Sequence, residues 1–121
     1  MNNSVLIDSE SRYPVHRRKI TKTVEAFLGE ARLEAVEVSI SIVGTRKTKE
    51  LNRQWRKLDE PTTVLTFGLD GPRSIDGLLR LGDIVICYPL AQVIAQEDNL
   101  LVDQAIDKLV VHGLNNLIGR Y

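Results

Sequence analysis

The segment VVHGLNNLIGRY, residues 110–121, holds one of the chain's two histidines, His112, followed at once by Gly113. Four residues beyond His112 stands Asn116, and Gly119 comes three later. On a helix, positions i and i+4 share one face, a turn apart. Two imidazoles so placed can hold one zinc ion from the same side. A glycine just beyond lets the helix end in a left-handed turn, so that the chain folds back with a third ligand. Catalytic zinc takes three protein ligands and keeps a fourth position for water, and the pattern His-x3-His-x2-Gly-x2-His meets that need. Here His112 fills the first position, Asn116 occupies the second and Gly119 the turn; the third falls at position 122, past Tyr121. A neutral amide oxygen suits harder cations than zinc. On these residues alone, a structural helix end competes with a metal site.

A second group of chemistry-bearing residues lies mid-chain. Lys49, Arg53, Arg56 and Lys57 crowd one short segment together with Trp55. The planar fork of an arginine matches phosphate oxygens and can counter charge developing on them. Arg56 reads either so, or as a solvated helix-end cation facing the negative end of the helix dipole. Trp55 stands four residues after Leu51, which predicts core packing; stacking on a nucleobase is the alternative. Asn52 is placed to cap or turn the chain locally. Asp83 sits in an apolar run where Asp is unfavourable, and either satisfies backbone groups or reaches the site.

These residues need a scaffold, and the hydrophobic pattern supplies one. SVLID (Ser4 to Asp8) reads as a strand. Ile20, Val24, Phe27, Leu28 and Ala31 recur at helical spacing within Pro14 to Leu33, with Gly29 a weak point or early stop. VEVSISIV (Val36 to Val43) alternates strictly, as a strand with one buried face does. Thr45 is a good N-cap for a helix over about Lys47 to Arg56, closed before Pro61. TTVLTF (Thr62 to Phe67) is a further strand, Gly68 to Gly77 a loop, and LGDIVIC (Leu81 to Cys87) another strand. Pro89 opens a short helix over Leu90 to Gln96. The last helix spans about Leu101 to Asn116, with Ala105, Leu109 and His112 or Gly113 along one stripe. The order β-α-β-α-β-β-α-α predicts an α/β (α+β) fold, a mixed sheet of about four strands packed by helices.

A chain of 121 residues fits one domain, 1–121, with a core of its own. The single cysteine, Cys87, excludes an internal disulfide framework, suits a reducing compartment and reads as a small buried hydrophobe. No apolar run is long enough to span a bilayer and no signal peptide is visible, so a cytoplasmic protein with no membrane partner is expected. Net charge is zero, but residues 12–57 carry 12 basic and 5 acidic side chains, a net of +7, and the remainder carries −7. That asymmetry marks a face for an anionic partner, or reflects two solvated basic helices. Arg17, Arg18 and Lys19 read as a solvated helix start and His16 as a surface residue.

Three segments in register carry a resemblance. LNRQWRKLDEPTTVLTF (Leu51 to Phe67) resembles the YbeY family's run of Leu-Asn, an aromatic-Arg pair and Pro-Thr-Asp-Val-Leu-Ser-Phe. LGDIVIC is similar to its Gly-Asp strand, and VVHGLNNLIG to its His-Gly-x-Leu-His-Leu-x-Gly helix. The resemblance implies a zinc-dependent endoribonuclease of ribosomal RNA maturation and ribosome quality control, cytoplasmic, acting on ribosomal RNA with ribosomal proteins as further partners and no DNA. It implies that His112 is a zinc ligand, that Arg56 is catalytic, and that Lys49, Arg53 and Lys57 form a basic RNA-binding surface. The chain departs from the family at Asn116 (histidine there), at Thr63 (aspartate there) and at position 122, where the family has its third histidine and then a helical tail. A non-catalytic relative that binds RNA or the ribosome through the same fold is therefore the competing expectation.

Overall fold

A computed structural model describes residues 3–69 and 76–119. Four strands, β1 (Ser4–Ser9), β2 (Val36–Val43), β3 (Val64–Gly68) and β4 (Leu79–Cys87), form one sheet in the order β1-β2-β4-β3. β1 and β4 flank β2 in parallel, and β3 joins the outside of β4 antiparallel. The helices are α1 (Arg17–Glu30), α2 (Thr45–Arg56), α3 (Tyr88–Glu97) and α4 (Val102–Ile118). The expected mixed four-stranded α/β architecture is the observed one.

The strict alternation in β2 sorts the two faces. Val36, Val38, Ile40 and Ile42 are all buried, while the residues between them are half-buried. Lateral register carries the split across the sheet: Ile7, Ile40, Ile84 and Thr66 share one row and one face. On that face α1 contributes Ile20, Val24 and Leu28, and α4 contributes Ile106, Val110, Leu114 and Leu117, closing a continuous core. α2 lies on the opposite face, where Leu51 and Trp55 line one hollow with Val85 and Phe67.

Two glycines set how closely these layers approach. β4 carries a bulge: Arg80 pairs with Glu37 and Gly82 with Val38, so Leu81 is the extra residue. The bulge lets Leu81 and Ile84 both enter the core although they are three residues apart. Gly82 has φ +148, and a Cβ there would stand 2.2 Å from the Phe67 carbonyl oxygen. Gly113 faces Ile84, where a Cβ would come within 2.7 Å of Cγ2. Glycine inside a helix costs about 1 kcal/mol relative to alanine, a penalty offset here by the close seating of α4 on β4.

Element limits shift from those the pattern predicts. α1 is shorter, ending at Glu30 beside Gly29 as an early stop; Ala31 caps it through its N–H to the carbonyls of Phe27 and Gly29. The N-cap of α2 lies one residue earlier than expected, at Gly44, and Thr45 is already helical. The Thr48 hydroxyl, fully buried, donates to the Thr45 carbonyl at 3.1 Å. β4 begins at Leu79 because Leu79 N–H bonds the Ala35 carbonyl, a partner far away in sequence. The expected loop Gly68 to Gly77 lies largely outside the described residues. Cys87 is fully buried, as expected.

Candidate functional site

α2 and α4 lie on opposite faces of the sheet, yet both reach the outer edge of β3. Among the described residues no strand pairs with that edge. Register puts Val64 and Thr66 on the α4 side with Ile86 and Ile84, and Leu65 and Phe67 on the α2 side with Val85 and Asp83. A groove of about 580 Å³ is lined by residues of both sides, and so wraps the strand edge. Trp55 and Arg56 come to it from the end of α2, His112 and Asn116 from α4, and Thr62, Thr63 and Thr66 from β3 and its approach.

Each element delivers its side chain for a local reason. On α4 the buried stripe is Ala105, Ile106, Leu109, Val110, Gly113, Leu114 and Leu117. Gly113 is therefore the core residue, and His112 turns outward, exposed, toward the groove. Asn116, one turn on, lines the same groove, so the helical spacing does bring the pair together. The expected left-handed turn at Gly119 is not present: Gly119 keeps φ −62 and ψ −9, a right-handed helix end whose N–H bonds the Asn115 carbonyl. Glycine permits a left-handed turn but does not impose one, and the α4 hydrogen-bond ladder extends to the Gly119 N–H.

α2 ends abruptly after Arg56 because Lys57 adopts φ +62, and its N–H closes back on the Asn52 carbonyl. Leu58 N–H reaches the same carbonyl at 3.3 Å. The Asn52 side chain, 1% exposed, donates from Nδ2 to the Glu60 carbonyl at 2.9 Å. Asn52 thus fastens the turn 57–60 that joins Arg56 to the approach of β3, the local turning role its residue type suggests. Its Oδ1 is buried without a hydrogen-bond partner among the described residues.

Trp55 corrects the sequence expectation. It is 62% exposed, not core, and packs edge-on against Phe67 with ring centroids 5.8 Å apart. The buried residues of α2 are Thr48 and Asn52 instead. A core-facing helix needs three or four apolar residues per two turns, and TRKTKELNRQWR offers only Leu51 and Trp55; that shortage was the readable signal. Lys49, Arg53 and Lys57 are exposed on α2 and do not line the groove; Arg53 pairs loosely with Asp59 at 3.9 Å. Arg56 makes no ion pair among the described residues. Asp83 does not reach the groove: it points to the α2 side of the sheet, beside Ser39 and Phe67.

The donor set does not fit a three-ligand zinc centre. His112 offers one imidazole and Asn116 a neutral amide, and Thr63 offers a hydroxyl. Among the described residues no three His, Cys, Asp or Glu side chains converge as a metal set. The groove's residues suit an anion better: an arginine, three threonine hydroxyls, an amide and a ring N–H, with no carboxylate among the described lining residues.

A mixed α/β sheet with an anion-suited groove at its open edge, fed by a histidine from one face and an arginine from the other, defines the class. The chain belongs to the YbeY family: the profile described as "Endoribonuclease YbeY" matches residues 6–120. A protein of that name from Persephonella marina is 35% identical over 118 residues, covering 97% of this chain and 77% of the relative. Another from a Sulfurihydrogenibium species is 36% identical with the same coverage. The solution structure of TM1509 from Thermotoga maritima superposes with a TM-score of 0.61 at 26% identity, covering 93% of this chain and 71% of that one. No described helix is long and apolar enough to cross a membrane.

Proposed function

We propose that this chain acts on ribosomal RNA, in its maturation and in ribosome quality control in the cytoplasm, with the phosphodiester backbone seated in the β3 groove. The observation that carries the reading is the convergence of Arg56 and His112, from opposite faces of the sheet, on one polar groove whose described lining holds no carboxylate. The guanidinium of Arg56 can take two phosphate oxygens in its fork. The threonine hydroxyls and the Asn116 amide can donate to the remaining oxygens and to the 2′-hydroxyl that distinguishes RNA. The exposed cations Lys49, Arg53 and Lys57 on the same helix add long-range attraction that positions a strand without reading its sequence.

Cleavage by a metal-activated water is the second reading, and membership of an endoribonuclease family favours it. A bound zinc would supply a water ionised near neutral pH, with His112 the one imidazole in position to hold it. Arg56 would counter the charge that develops on the phosphate as its bond breaks. The exchange at Asn116 weighs against this reading, so RNA seating is the part the chain's own residues support best.

Metal analysis of the purified protein, paired with cleavage of a ribosomal RNA fragment with and without chelator, separates the two. RNA binding without stoichiometric zinc and without chelator-sensitive cleavage is expected. Stoichiometric zinc together with chelator-sensitive cleavage would establish the second reading instead.

A further inference from the structure

The sheet face on the α2 side carries a second hollow, of about 620 Å³, that the backbone groove does not use. The two adjoin: Trp55, Thr66 and Phe67 line both. We propose that this hollow is a nucleobase pocket with a preference for guanine, filled by a base turned over the edge of β3 from the strand seated in the groove. The proposal rests on the RNA reading above and assigns that site its base selectivity.

Three observations carry it. The first is aromatic. Trp55 stands 62% exposed and is braced edge-on by Phe67, a ring plane open to solvent at the junction of the two hollows. An exposed indole held by a neighbour is a stacking platform of the kind single-stranded RNA recognition uses. The second is the division of charge. Among the described residues the groove's lining has Arg56 and no carboxylate, while the hollow's lining has Asp83 and no cation. A carboxylate repels a phosphate, so the strand's backbone belongs on the groove side and the base on the other. The volume lies within the roughly 300–1,000 Å³ usual for small-ligand sites.

The third is the hydrogen-bonding floor. Register places Ser39, Asp83 and Phe67 side by side in one row across β2, β4 and β3, with Ser41 in the next. Asp83 is half-buried, and its carboxylate makes no hydrogen bond or ion pair among the described residues. An ionised carboxylate only accepts, through two oxygens. Guanine alone among the four bases shows two adjacent donors, N1–H and N2–H, on its Watson–Crick edge. Adenine and cytosine show one amino donor beside an acceptor, and uracil a single N–H between two carbonyls. The β4 bulge at Leu81 sets the register that turns Asp83 to this face.

Trp55 is the chain's only tryptophan, so its emission reports the pocket directly. Titration of the whole chain with guanosine, adenosine, cytidine and uridine 5′-monophosphates is expected to quench it, with guanosine monophosphate about tenfold stronger than the others, the worth of one bidentate base contact. Asp83→Asn, which replaces one acceptor by a donor, is expected to bring all four within about twofold. Equal quenching by all four in the parent, or none, overturns the proposal, and that result needs no variant to fold. Binding of oligouridine, followed in parallel by anisotropy with the parent and Arg56→Ala, tests the groove separately. Arg56-dependent binding with no guanine preference at Trp55 sinks the pocket and leaves the groove. A guanine preference with no strand binding sinks the groove and leaves a nucleotide site. Oligoguanosine that binds while Trp55 emission is unchanged overturns the pocket and leaves this face to a protein partner.

Discussion

Arg56 and Asn116 decide between the two readings of the groove, because one bears on phosphate and the other on metal. Arg56→Lys keeps the charge and loses the fork. It is expected to retain part of the RNA affinity, weakened severalfold in a filter-binding titration; full retention would mean that charge alone matters. Asn116→His places a second imidazole one turn from His112 in the same groove. Zinc affinity, read by competition with a chromophoric chelator, is expected to rise, because an i, i+4 histidine pair can share one ion. No rise would mean that the two positions do not converge. At this scale the sequence was only partly legible. Arg56 and the His112–Asn116 pair stand out by type and spacing, and the structure brings all three to one groove. Trp55 was misread because its spacing from Leu51 implies an inward face. The buried face of α2 is polar, Thr48 and Asn52, and polar burial leaves no hydrophobic period to find.

Gly113 and Gly82 are where the elements depend on single atoms. Gly113→Ala sets a methyl 2.7 Å from Ile84, and the gain in helix propensity, up to about 1 kcal/mol, is expected to lose to overpacking of about 1–3 kcal/mol. A lower urea midpoint at unchanged m checks this; a higher midpoint would show that α4 can lift without loss. Gly82→Ala combines a disfavoured φ of +148 with a 2.2 Å approach to backbone. It is expected to cost roughly 2–4 kcal/mol and to disturb the β3–β4 pairing that forms the groove's wall, a loss visible in thermal denaturation. The elements themselves were legible because VEVSISIV and the α1 and α4 stripes state their own periods. The strand order was not, since nothing local says that β4 inserts between β2 and β3. Nor was the bulge, which exists only as a mismatch between β4 and its neighbour β2.

Across the molecule, the basic half of the chain does not gather on one face. α1 and α2 sit on opposite sides of the sheet, and part of the α1 segment's charge is engaged: Lys19 pairs with Asp107 at 3.3 Å and Arg17 donates to the Ile7 carbonyl, while His16 Nε2 lies 3.4 Å from Asp103. These contacts tie α1 to α4 and to β1, leaving α2 as the basic surface nearest the groove. A segment-wide charge count cannot show this, because the carboxylate partners Asp103 and Asp107 lie more than 80 residues away in sequence. RNA binding through one groove and one helix engages about three to four phosphates, for a log–log salt slope of roughly −2 to −3 on single strands. The most direct test is therefore the affinity of a single-stranded ribosomal RNA fragment, measured by fluorescence anisotropy across a salt series for the parent and Arg56→Ala. Backbone binding in the β3 groove predicts about tenfold weaker binding for the variant and a slope shallower by about one phosphate. An Arg56→Ala protein that binds with the parent's affinity and the parent's slope would contradict it.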